Sequence, residues 1–279
     1  MNARLADGPV VMGILNLTPD SFSNRGEHFD PDIAVAHALR MADEGAGVID
    51  VGGESTRPGA ERVDAREQIE RVAGVIRRLR PRLPAHVVIS IDTTLAEVAA
   101  AAIDAGAGMI NDVAAGRESD TIALAAARAV PIALMHMQGS PATMQQAPHY
   151  DDVVGEVLEF LRARAAAARA AGVAARGIFI DPGIGFGKTK QHNLQLLAAL
   201  DRFVATGHPV LLGTSRKRFM GAICRETEAR ELVGATCATT ALGAAAGVLM
   251  FRVHDVRANR QAMEVGLALA AARSAAMPV

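Results

Sequence analysis

The hydrophobic positions of this chain fall into short runs that alternate with longer stretches of helical periodicity. Each run ends in polar or glycine residues, and a segment with apolar residues at helical spacing follows it. The runs predict strands at residues 10–15, 47–51, 86–91, 108–110, 130–135, 177–180, 209–212 and 248–251. The stretches between them predict helices near residues 31–45, 62–80, 95–105, 119–129, 151–172, 192–204, 229–246 and 256–275.

The runs lack the strict alternation of half-exposed strands, which indicates strands covered on both faces, as in a parallel sheet. Eight strands alternating with eight helices over about 270 residues predict an α/β protein with a (β/α)8 TIM barrel. An open, doubly wound sheet is the alternative. Because no Pro- or Ser-rich linker interrupts the pattern, we expect residues 1–279 to form a single domain.

Composition and charge exclude several classes of partner. The chain has 279 residues, with 29 Lys and Arg against 30 Asp and Glu, and a formal net charge of −1. This balance provides no basic footprint for nucleic acid or an anionic membrane. Aromatic residues make up only 3 % of the chain and Trp is absent, which disfavours stacking platforms for bases. We therefore expect neither nucleic acid nor membrane as a partner.

Targeting and metal-binding signals are also absent from the sequence. Cys224 and Cys237 match no zinc or redox spacing, and residues 1–9 contain no apolar segment of a signal peptide. The most apolar stretch, 235–251, contains three threonines and stops at Arg252. It predicts a buried helix that runs into a strand, not a membrane span. These features predict a cytoplasmic protein.

Polar residues follow each predicted strand at its carboxyl end. In a (β/α)8 barrel these ends share one rim, which is where enzymes of this fold place their chemistry. A solvated surface explains isolated polar strand ends, but it does not explain a succession of amides, carboxylates and bases. The rim would carry Asn16, Thr56, Asp92, Asn111, Asp181, Lys217, Arg252 and His254.

Two acidic residues end the third and sixth predicted strands, on opposite sides of the barrel mouth. Either Asp92 or Asp181 alone could be a helix cap. Together they suggest a ligand with several N–H donors, such as a guanidine-like heterocycle, because hydrogen bonds to carboxylates are strong. Asn111 adds a donor and an acceptor for a ligand edge that shows both.

Basic residues cluster after the seventh and eighth strands. The run 215–218 reads Ser-Arg-Lys-Arg in a nearly neutral chain, and its position after an apolar strand favours binding of an anion or a carbonyl. Arg252 and His254 are two positions apart, so both point to the same side if the strand continues. With Arg216 and Lys217 on the neighbouring loop, they predict a phosphate clamp.

The glycine-rich stretch 183–189 matches neither common phosphate-binding motif. Pro182 stands where a Walker A motif needs glycine, and Lys188 stands where a dinucleotide fingerprint needs glycine or alanine. We interpret the stretch as a flexible loop whose missing side chains admit a flat ligand.

Two longer segments resemble the signatures of the dihydropteroate synthase family: ILNLTPDSFS at 14–23 and DVGGESTRPG at 50–59. The segments 90–93, 110–112, 181–188, 215–217 and 252–255 agree with this family in order and spacing. The resemblance covers about residues 10–260. Residues 24–28, Asn-Arg-Gly-Glu-His, depart from the usual Asp-Gly-Gly of the first loop.

The resemblance implies a (β/α)8 barrel that joins 7,8-dihydropterin-6-ylmethyl diphosphate to 4-aminobenzoate in folate synthesis. It also implies a requirement for Mg²⁺, a homodimer and a sulfonamide target. The implied catalytic residues are Asp20, Asp92 and Lys217. The implied pterin site comprises Asp92, Asn111, Met135, Asp181, Gly213 and Lys217.

The remaining implied sites bind the other parts of the two substrates. The diphosphate site would comprise Asn16, Thr56, Arg252 and His254, with Asn16 also binding Mg²⁺. The 4-aminobenzoate site would comprise Phe22, Thr56, Arg57, Pro58, Phe186, Ser215 and Lys217. No activated base for the amine is evident in the sequence, which favours a dissociative substitution through a pterin cation.

Two other functions remain as alternatives. A pterin-binding methyltransferase domain of the corrinoid-dependent type shares the barrel and the acidic set, but it needs no diphosphate clamp. The segments 252–254 and 56–58 therefore disfavour it. A family member retained only as a structural partner would have a broken site, whereas every motif residue is present here.

Overall fold

In a computed structural model, the protein is described over residues 8–18, 30–55 and 62–276. Strands and helices alternate through these ranges. The strands are β1 Val10–Asn16, β2 Val48–Gly52, β3 Val88–Asp92, β4 Met109–Asp112, β5 Ile132–Met135, β6 Ile178–Asp181, β7 Leu211–Leu212 and β8 Met250–Val253. The helices are α1 Pro31–Asp43, α2 Ala65–Leu79, α3 Ala96–Asp104, α4 Thr121–Arg128, α5 Val153–Ala170, α6 Lys190–Ala198, α7 Leu200–Val204, α8 Arg218–Cys224, α9 Val233–Ala246 and α10 Val256–Ala276.

The strands form one parallel sheet that closes on itself. Their order is β6-β5-β4-β3-β2-β1-β8-β7. A parallel bridge between Ile180 and Val210 joins the two ends of this order, and the Ile180 N–H donates to the Pro209 carbonyl at 3.0 Å. The predicted (β/α)8 barrel is therefore confirmed, and the open doubly wound alternative is wrong.

Most predicted strands lie one or two residues too early along the chain. The third, for example, was predicted over 86–91 and spans Val88–Asp92. An apolar run stops at the first polar side chain, whereas the backbone ladder continues to the polar residue that faces the barrel mouth. The pattern at 192–204 is divided at Ala199 into α6 and α7, and α8 was not predicted because 215–218 was interpreted only as a basic loop.

The amino-terminal half of the barrel interior is apolar. One buried cluster fills it, and its members come one from each strand: Met12, Val48, Val88, Met109, Ala133, Phe179, Leu211 and Met250. Because inward-facing residues recur every second position, the next inward layer lies two residues further along each strand. That layer contains Asp50, Ser90, Asn111, Asp181 and Arg252. The barrel therefore changes from apolar to strongly polar within one layer.

The apolar stretch 235–251 forms most of α9 and continues into β8, as predicted. Its buried threonines find internal partners: the Thr236 hydroxyl donates to the Leu232 carbonyl, and the Thr240 hydroxyl donates to the Asn259 side chain of α10. Among the described residues, no helix is long and apolar enough to cross a membrane.

Candidate active site

Strand register brings several predicted site residues to one level of the barrel mouth. Asn16, Gly52, Asp92 and Asn111 are successive register partners across β1 to β4. On the other side of the mouth, Met135 of β5 is the register partner of Asp181 of β6. Gly213 lies between the two sides, since a side-chain carbon there would be 3.8 Å from Arg252 and 4.0 Å from Asp181.

An ion-pair network links three strands inside the barrel. Arg252 donates through Nε to Asp50 Oδ2 at 2.6 Å and through Nη2 to Asp92 Oδ2 at 2.6 Å. Asp50 Oδ2 also accepts from Asn111 Nδ2 at 3.0 Å. The Asp50 carboxylate, which is fully buried, thus orients both the guanidinium and the amide.

Asp50 was not among the candidate site residues. Two signals marked it: an acidic residue inside the otherwise apolar run 47–51, and its place at the start of the signature segment 50–59. A lone carboxylate in a buried strand requires a partner, because burial of an unpaired charge is very costly. Arg252 itself was assigned to the diphosphate, and this role stays a prediction, because the structure shows its guanidinium paired with Asp50 and Asp92.

Burial dominates the ionisation of Asp92. It raises the pKa of Asp92 to about 7, with Arg252 lowering it and the Asp50 charge raising it further. The Asp92 carboxylate thus changes its charge near neutral pH. Three buried oxygen atoms in this region, Asp50 Oδ1, Ser90 Oγ and Asp92 Oδ1, have no hydrogen-bond partner among the described residues. Buried acceptors of this kind are suited to a ligand with N–H groups.

Asp181 and Lys217 form the opposite side of the site. Asp181 Oδ1 accepts from the Gly183 N–H at 2.7 Å. Burial raises the pKa of Asp181, and Lys217 opposes this. Lys217 Nζ donates to the Ile184 carbonyl and lies 4.6 Å from the centre of the Phe186 ring. Burial lowers the pKa of Lys217 to about 8. A cation therefore lies between a carboxylate and an aromatic face.

The sixth loop, residues 182–189, packs directly against the fifth loop, residues 136–152. Gly183 has φ +66°, and a side-chain carbon there would lie 1.8 Å from the His136 carbonyl oxygen. Gly187 has φ +63°, and a side-chain carbon there would lie 2.6 Å from the Gln138 carbonyl oxygen. These two glycines make room for neighbouring backbone and not for a flat ligand, so our interpretation of them was wrong.

Met135 and Phe186 belong to one small apolar cluster beside the acidic residues. Met135 is buried with Val113, Met137 and Met144, and the half-buried Phe186 packs against them. The predicted contacts of Met135 with the pterin and of Phe186 with 4-aminobenzoate thus fall on one continuous apolar surface.

The basic residues after β7 and β8 separate into two groups. Ser215 Oγ lies 2.9 Å from His254 Nδ1 and accepts from the His254 backbone N–H at 3.1 Å. Arg216 has a left-handed backbone, with φ +58°, and pairs with Asp255 through two hydrogen bonds of 3.0 and 2.6 Å. Arg216 was expected to join the phosphate clamp, but its guanidinium instead links the seventh and eighth loops.

Glu54 and Gln68, which were not among the candidate site residues, link the two ends of the second loop to the end of β3. Glu54 accepts from the Val63 N–H at 2.9 Å and from Gln68 Nε2 at 3.3 Å. Gln68 is buried and accepts from the Thr93 hydroxyl at 3.3 Å, next to Asp92. These contacts hold the two ends of the second loop together.

Several predicted site residues lie outside the described residues, and their roles stay predictions: Asp20, Phe22, Thr56, Arg57 and Pro58. Asn16, which was assigned to the diphosphate and the metal, ends β1. A side-chain carbon added at Gly52 would lie 3.6 Å from Asn16 Oδ1 and 3.5 Å from Asp92 Cβ, so both side chains border this position. Within the described ranges, no group of three or more His, Cys, Asp or Glu side chains could hold a metal ion.

The barrel, its buried acids and the basic rim define a pterin-binding barrel enzyme. The sequence profile of the family described as pterin binding enzyme matches residues 12–254. A dihydropteroate synthase of Synechocystis is 46 % identical over 260 residues, which cover 93 % of this chain and 89 % of the relative. The chain belongs to the dihydropteroate synthase family.

Solved structures agree with this assignment. A Xanthomonas albilineans dihydropteroate synthase with 4-aminobenzoic acid has a TM-score of 0.88 and 47 % identity, and the match covers 98 % of this chain and 95 % of that one. The enzyme of the same organism in complex with 7,8-dihydropteroate has a TM-score of 0.84 and 44 % identity, with the same coverage of both chains.

Proposed function

We propose that this protein condenses 7,8-dihydropterin-6-ylmethyl diphosphate with 4-aminobenzoate, forming 7,8-dihydropteroate and releasing diphosphate for folate biosynthesis. The observation that carries the proposal is the buried network of Asp50, Asp92, Asn111 and Arg252, which faces Asp181 and Lys217 across one barrel mouth. Membership of the dihydropteroate synthase family supports it.

Recognition of the pterin follows from the donors and acceptors of this network. Asp92 and Asp181 accept from the 2-amino and ring N–H groups, and Lys217 donates to the 4-oxo group. The Nδ2 atom of Asn111 donates to Asp50, so Asn111 presents its Oδ1 to the ligand as a further acceptor. The sulfonamide class, which carries an aniline-type amine like that of 4-aminobenzoate, would compete on the Phe186 side.

The reaction is a dissociative substitution. The bond between the pterin methylene carbon and the diphosphate oxygen breaks, and its electron pair leaves with the diphosphate. The positive charge spreads into the ring, where the ionised Asp92 stabilises it. The 4-aminobenzoate nitrogen then attacks the methylene carbon, a C–N bond forms, and the nitrogen loses a proton to solvent.

The leaving diphosphate would be held by Asn16, Thr56, Arg252 and His254. Arg252 uses Nε and Nη2 for Asp50 and Asp92, and among the described residues no hydrogen bond engages its Nη1. This atom would donate to a phosphate oxygen while the two carboxylates keep the guanidinium in place. The Ser215 hydroxyl in turn orients the His254 ring.

Mg²⁺ fits the donor set at the mouth. Asn16 offers a single carboxamide oxygen at the end of β1, and this oxygen would lie 3.6 Å from a side-chain carbon at Gly52. Mg²⁺ is commonly held by one or two protein oxygens together with substrate phosphates and water, so one side chain suffices. When bound, it would neutralise negative charge on the diphosphate.

A product assay tests the function. The wild-type protein should form dihydropteroate from both substrates with Mg²⁺ and lose this activity in EDTA. Lys217→Ala should lower kcat/KM by about 10²-fold or more, whereas Lys190→Ala, an exposed lysine of α6, should match the wild type. Failure of the wild-type protein to form dihydropteroate would contradict the proposal.

Rapid-quench single turnovers test the order of bond breaking and bond forming. A dissociative reaction should release diphosphate from the pterin substrate in the absence of 4-aminobenzoate. If release requires 4-aminobenzoate, the stepwise order is wrong.

We also propose that the protein is a homodimer that pairs through α9 and α10. These helices pack closely, since a side-chain carbon at Gly266 would lie 2.3 Å from the Ala241 carbonyl oxygen. Beside this contact, the side chains of Leu242, Val265 and Leu269 are 70 %, 57 % and 54 % exposed. Leu242→Asp should yield monomers in sedimentation, whereas Ile223→Asp on α8 should not. Dimers of Leu242→Asp would place the interface elsewhere.

A further inference from the structure

Lys188 is a buried lysine that the reaction described above does not use. It lies at the end of the sixth loop and is only 3 % exposed. Its ammonium contacts three acceptors: His136 Nδ1 at 3.0 Å, the Phe186 carbonyl at 2.9 Å and the His136 carbonyl at 3.4 Å. All three belong to the fifth and sixth loops. Lys188 therefore links the fifth and sixth loops through these three contacts.

The fifth and sixth loops are also joined by their backbones and by one tyrosine. The close approaches at Gly183 and Gly187 leave no space for side chains between the loops. The Tyr150 hydroxyl donates to the Gly187 carbonyl at 2.8 Å, and the Tyr150 ring lies 6.0 Å from Lys188 Nζ. The position of the sixth loop is thus set by contacts on both sides of Lys188.

Lys188 and Lys217 hold the sixth loop on either side of Gly185. Lys188 holds the carbonyl of Phe186 itself, and Lys217 holds the carbonyl of Ile184. Gly185, between them, contacts the Lys217 side chain closely enough that an added carbon would lie 3.0 Å from Lys217 Cδ. Movement of this short segment would displace the aromatic ring that lies against Lys217.

We propose that Lys188 is a positioning residue for the 4-aminobenzoate side of the site. It acts through the sixth loop by holding Phe186 against Lys217, and it does not touch the substrate. This inference rests on the proposed function, because it assigns Phe186 to the second substrate. On the pterin side, Asp92 and Asn111 lie on β3 and β4 across the barrel and, among the described residues, share no hydrogen bond with Lys188. Asp181 and Lys217, which also belong to the pterin side, contact the sixth loop through the Gly183 N–H and the Ile184 carbonyl, not through the Phe186 carbonyl that Lys188 holds.

The charges around Lys188 are consistent with a fixed structural contact. Burial lowers the pKa of Lys188 to about 7; the negative charge of Asp181 on β6 opposes this shift, and the positive charge of Lys217 adds to it. From the fifth loop, His136 faces it as a neutral acceptor, because burial and the charges of Lys188 and Arg117 lower the pKa of His136 to about 3. Lys188 Nζ therefore donates to Nδ1 of a neutral imidazole ring.

The test measures the effect of Lys188 on each substrate separately. Lys188→Met should raise KM for 4-aminobenzoate by about 10-fold or more and leave the calorimetric Kd of the pterin diphosphate within about 2-fold of the wild type. Lys188→Arg should restore part of the loss, because a guanidinium can still donate to the Phe186 carbonyl. The matched control is Lys190→Met, which alters an exposed lysine two residues away.

A double-mutant cycle with Phe186→Ala identifies the route of the effect. If Lys188 acts through the Phe186 ring, Lys188→Met should change KM for 4-aminobenzoate much less in the Phe186→Ala background than in the wild type. Additive effects, or equal losses of affinity for both substrates, would overturn the proposal. An inactive wild-type protein would instead overturn the proposed function.

If Lys188→Met does not fold, substitutions of its partner decide the question. His136→Asn keeps a side-chain acceptor close to the position of Nδ1, whereas His136→Leu removes it. The expected result is a higher KM for 4-aminobenzoate in His136→Leu than in His136→Asn, with the same Kd for the pterin diphosphate. Equal values of KM in the two variants would overturn the proposal.

Discussion

Asp92→Asn should make the protein less active and, at alkaline pH, more stable. The carboxylate is buried 2.6 Å from Arg252, and its pKa is raised to about 7 by burial. Above this pH the folded protein contains a carboxylate anion that would be better solvated in the unfolded chain. The amide keeps the size of the side chain and an oxygen for Arg252, but it removes the charge that stabilises the pterin cation.

The size of the effect follows from the two pKa values of Asp92. With a pKa of about 7 in the folded state against 3.8 ordinarily, the folded protein binds this proton more tightly. The stability from this group is therefore fully present below pH 3.8 and is lost as the pH rises through 7. Integration between about pH 5 and pH 8.5 gives a loss of about 3 kcal/mol in the free energy of unfolding of the wild type.

Urea unfolding at these two pH values, together with steady-state kinetics, checks the reasoning. Subtracting the pH dependence of Asp92→Asn from that of the wild type isolates the contribution of this one group. The difference should be about 3 kcal/mol, and kcat/KM of the variant should fall by about 10²-fold or more. Asp104→Asn, which alters an exposed aspartate of α3, serves as the control. Equal pH dependence in Asp92→Asn and the wild type would refute the raised pKa.

The other predictions concern the partners of Asp92 and the sixth loop. Asp50→Asn should lower the pKa of Asp92 by removing a nearby negative charge, and so move the acid limb of the kcat/KM profile to lower pH; an unmoved limb would contradict this. Arg252→Ala should destabilise the protein by about 3–5 kcal/mol in urea melts, because it strands two buried carboxylates. In calorimetry it should weaken binding of the pterin diphosphate more than that of the bare pterin, and equal losses would argue against a diphosphate contact. Gly183→Ala should lower Tm through its clash with the fifth loop, whereas Gly74→Ala in α2 has free space and should not.

The barrel and most of its rim could be predicted from the sequence because both depend on local pattern. Each strand is an apolar run that ends in polar residues, and parallel strands of a barrel end at one rim. Asn16, Asp92 and Asn111 were therefore expected at the same rim, where the register places them. The ion pairs could not be predicted in this way. Asp50 and Arg252 are 202 residues apart, and no local sequence pattern indicates which carboxylate a distant guanidinium will pair with.

The ion pair of Arg216, which lies on a loop, could not be predicted from local pattern either. Its position within the basic run 215–218 indicated an anion site, but its left-handed backbone turns the side chain towards Asp255. The interpretation of the glycines at 183 and 187 failed for a related reason, because their free space is used by the fifth loop. Sequence shows that a side chain is missing, and only the fold shows what occupies the space.

The closure of the barrel has a consequence for its local motions. In the described structure β7 has only two residues, and one bridge, between Ile180 and Val210, joins β6 to this strand. This seam has one bridge, whereas five register pairs join β1 to β2, so its amides should exchange with deuterium sooner than those between β1 and β2. Asp181 and Gly213 border the seam, so a ligand that contacts both sides would slow this exchange. Slower amide exchange at Ile180, a residue of β6, would thus indicate that a ligand occupies the site.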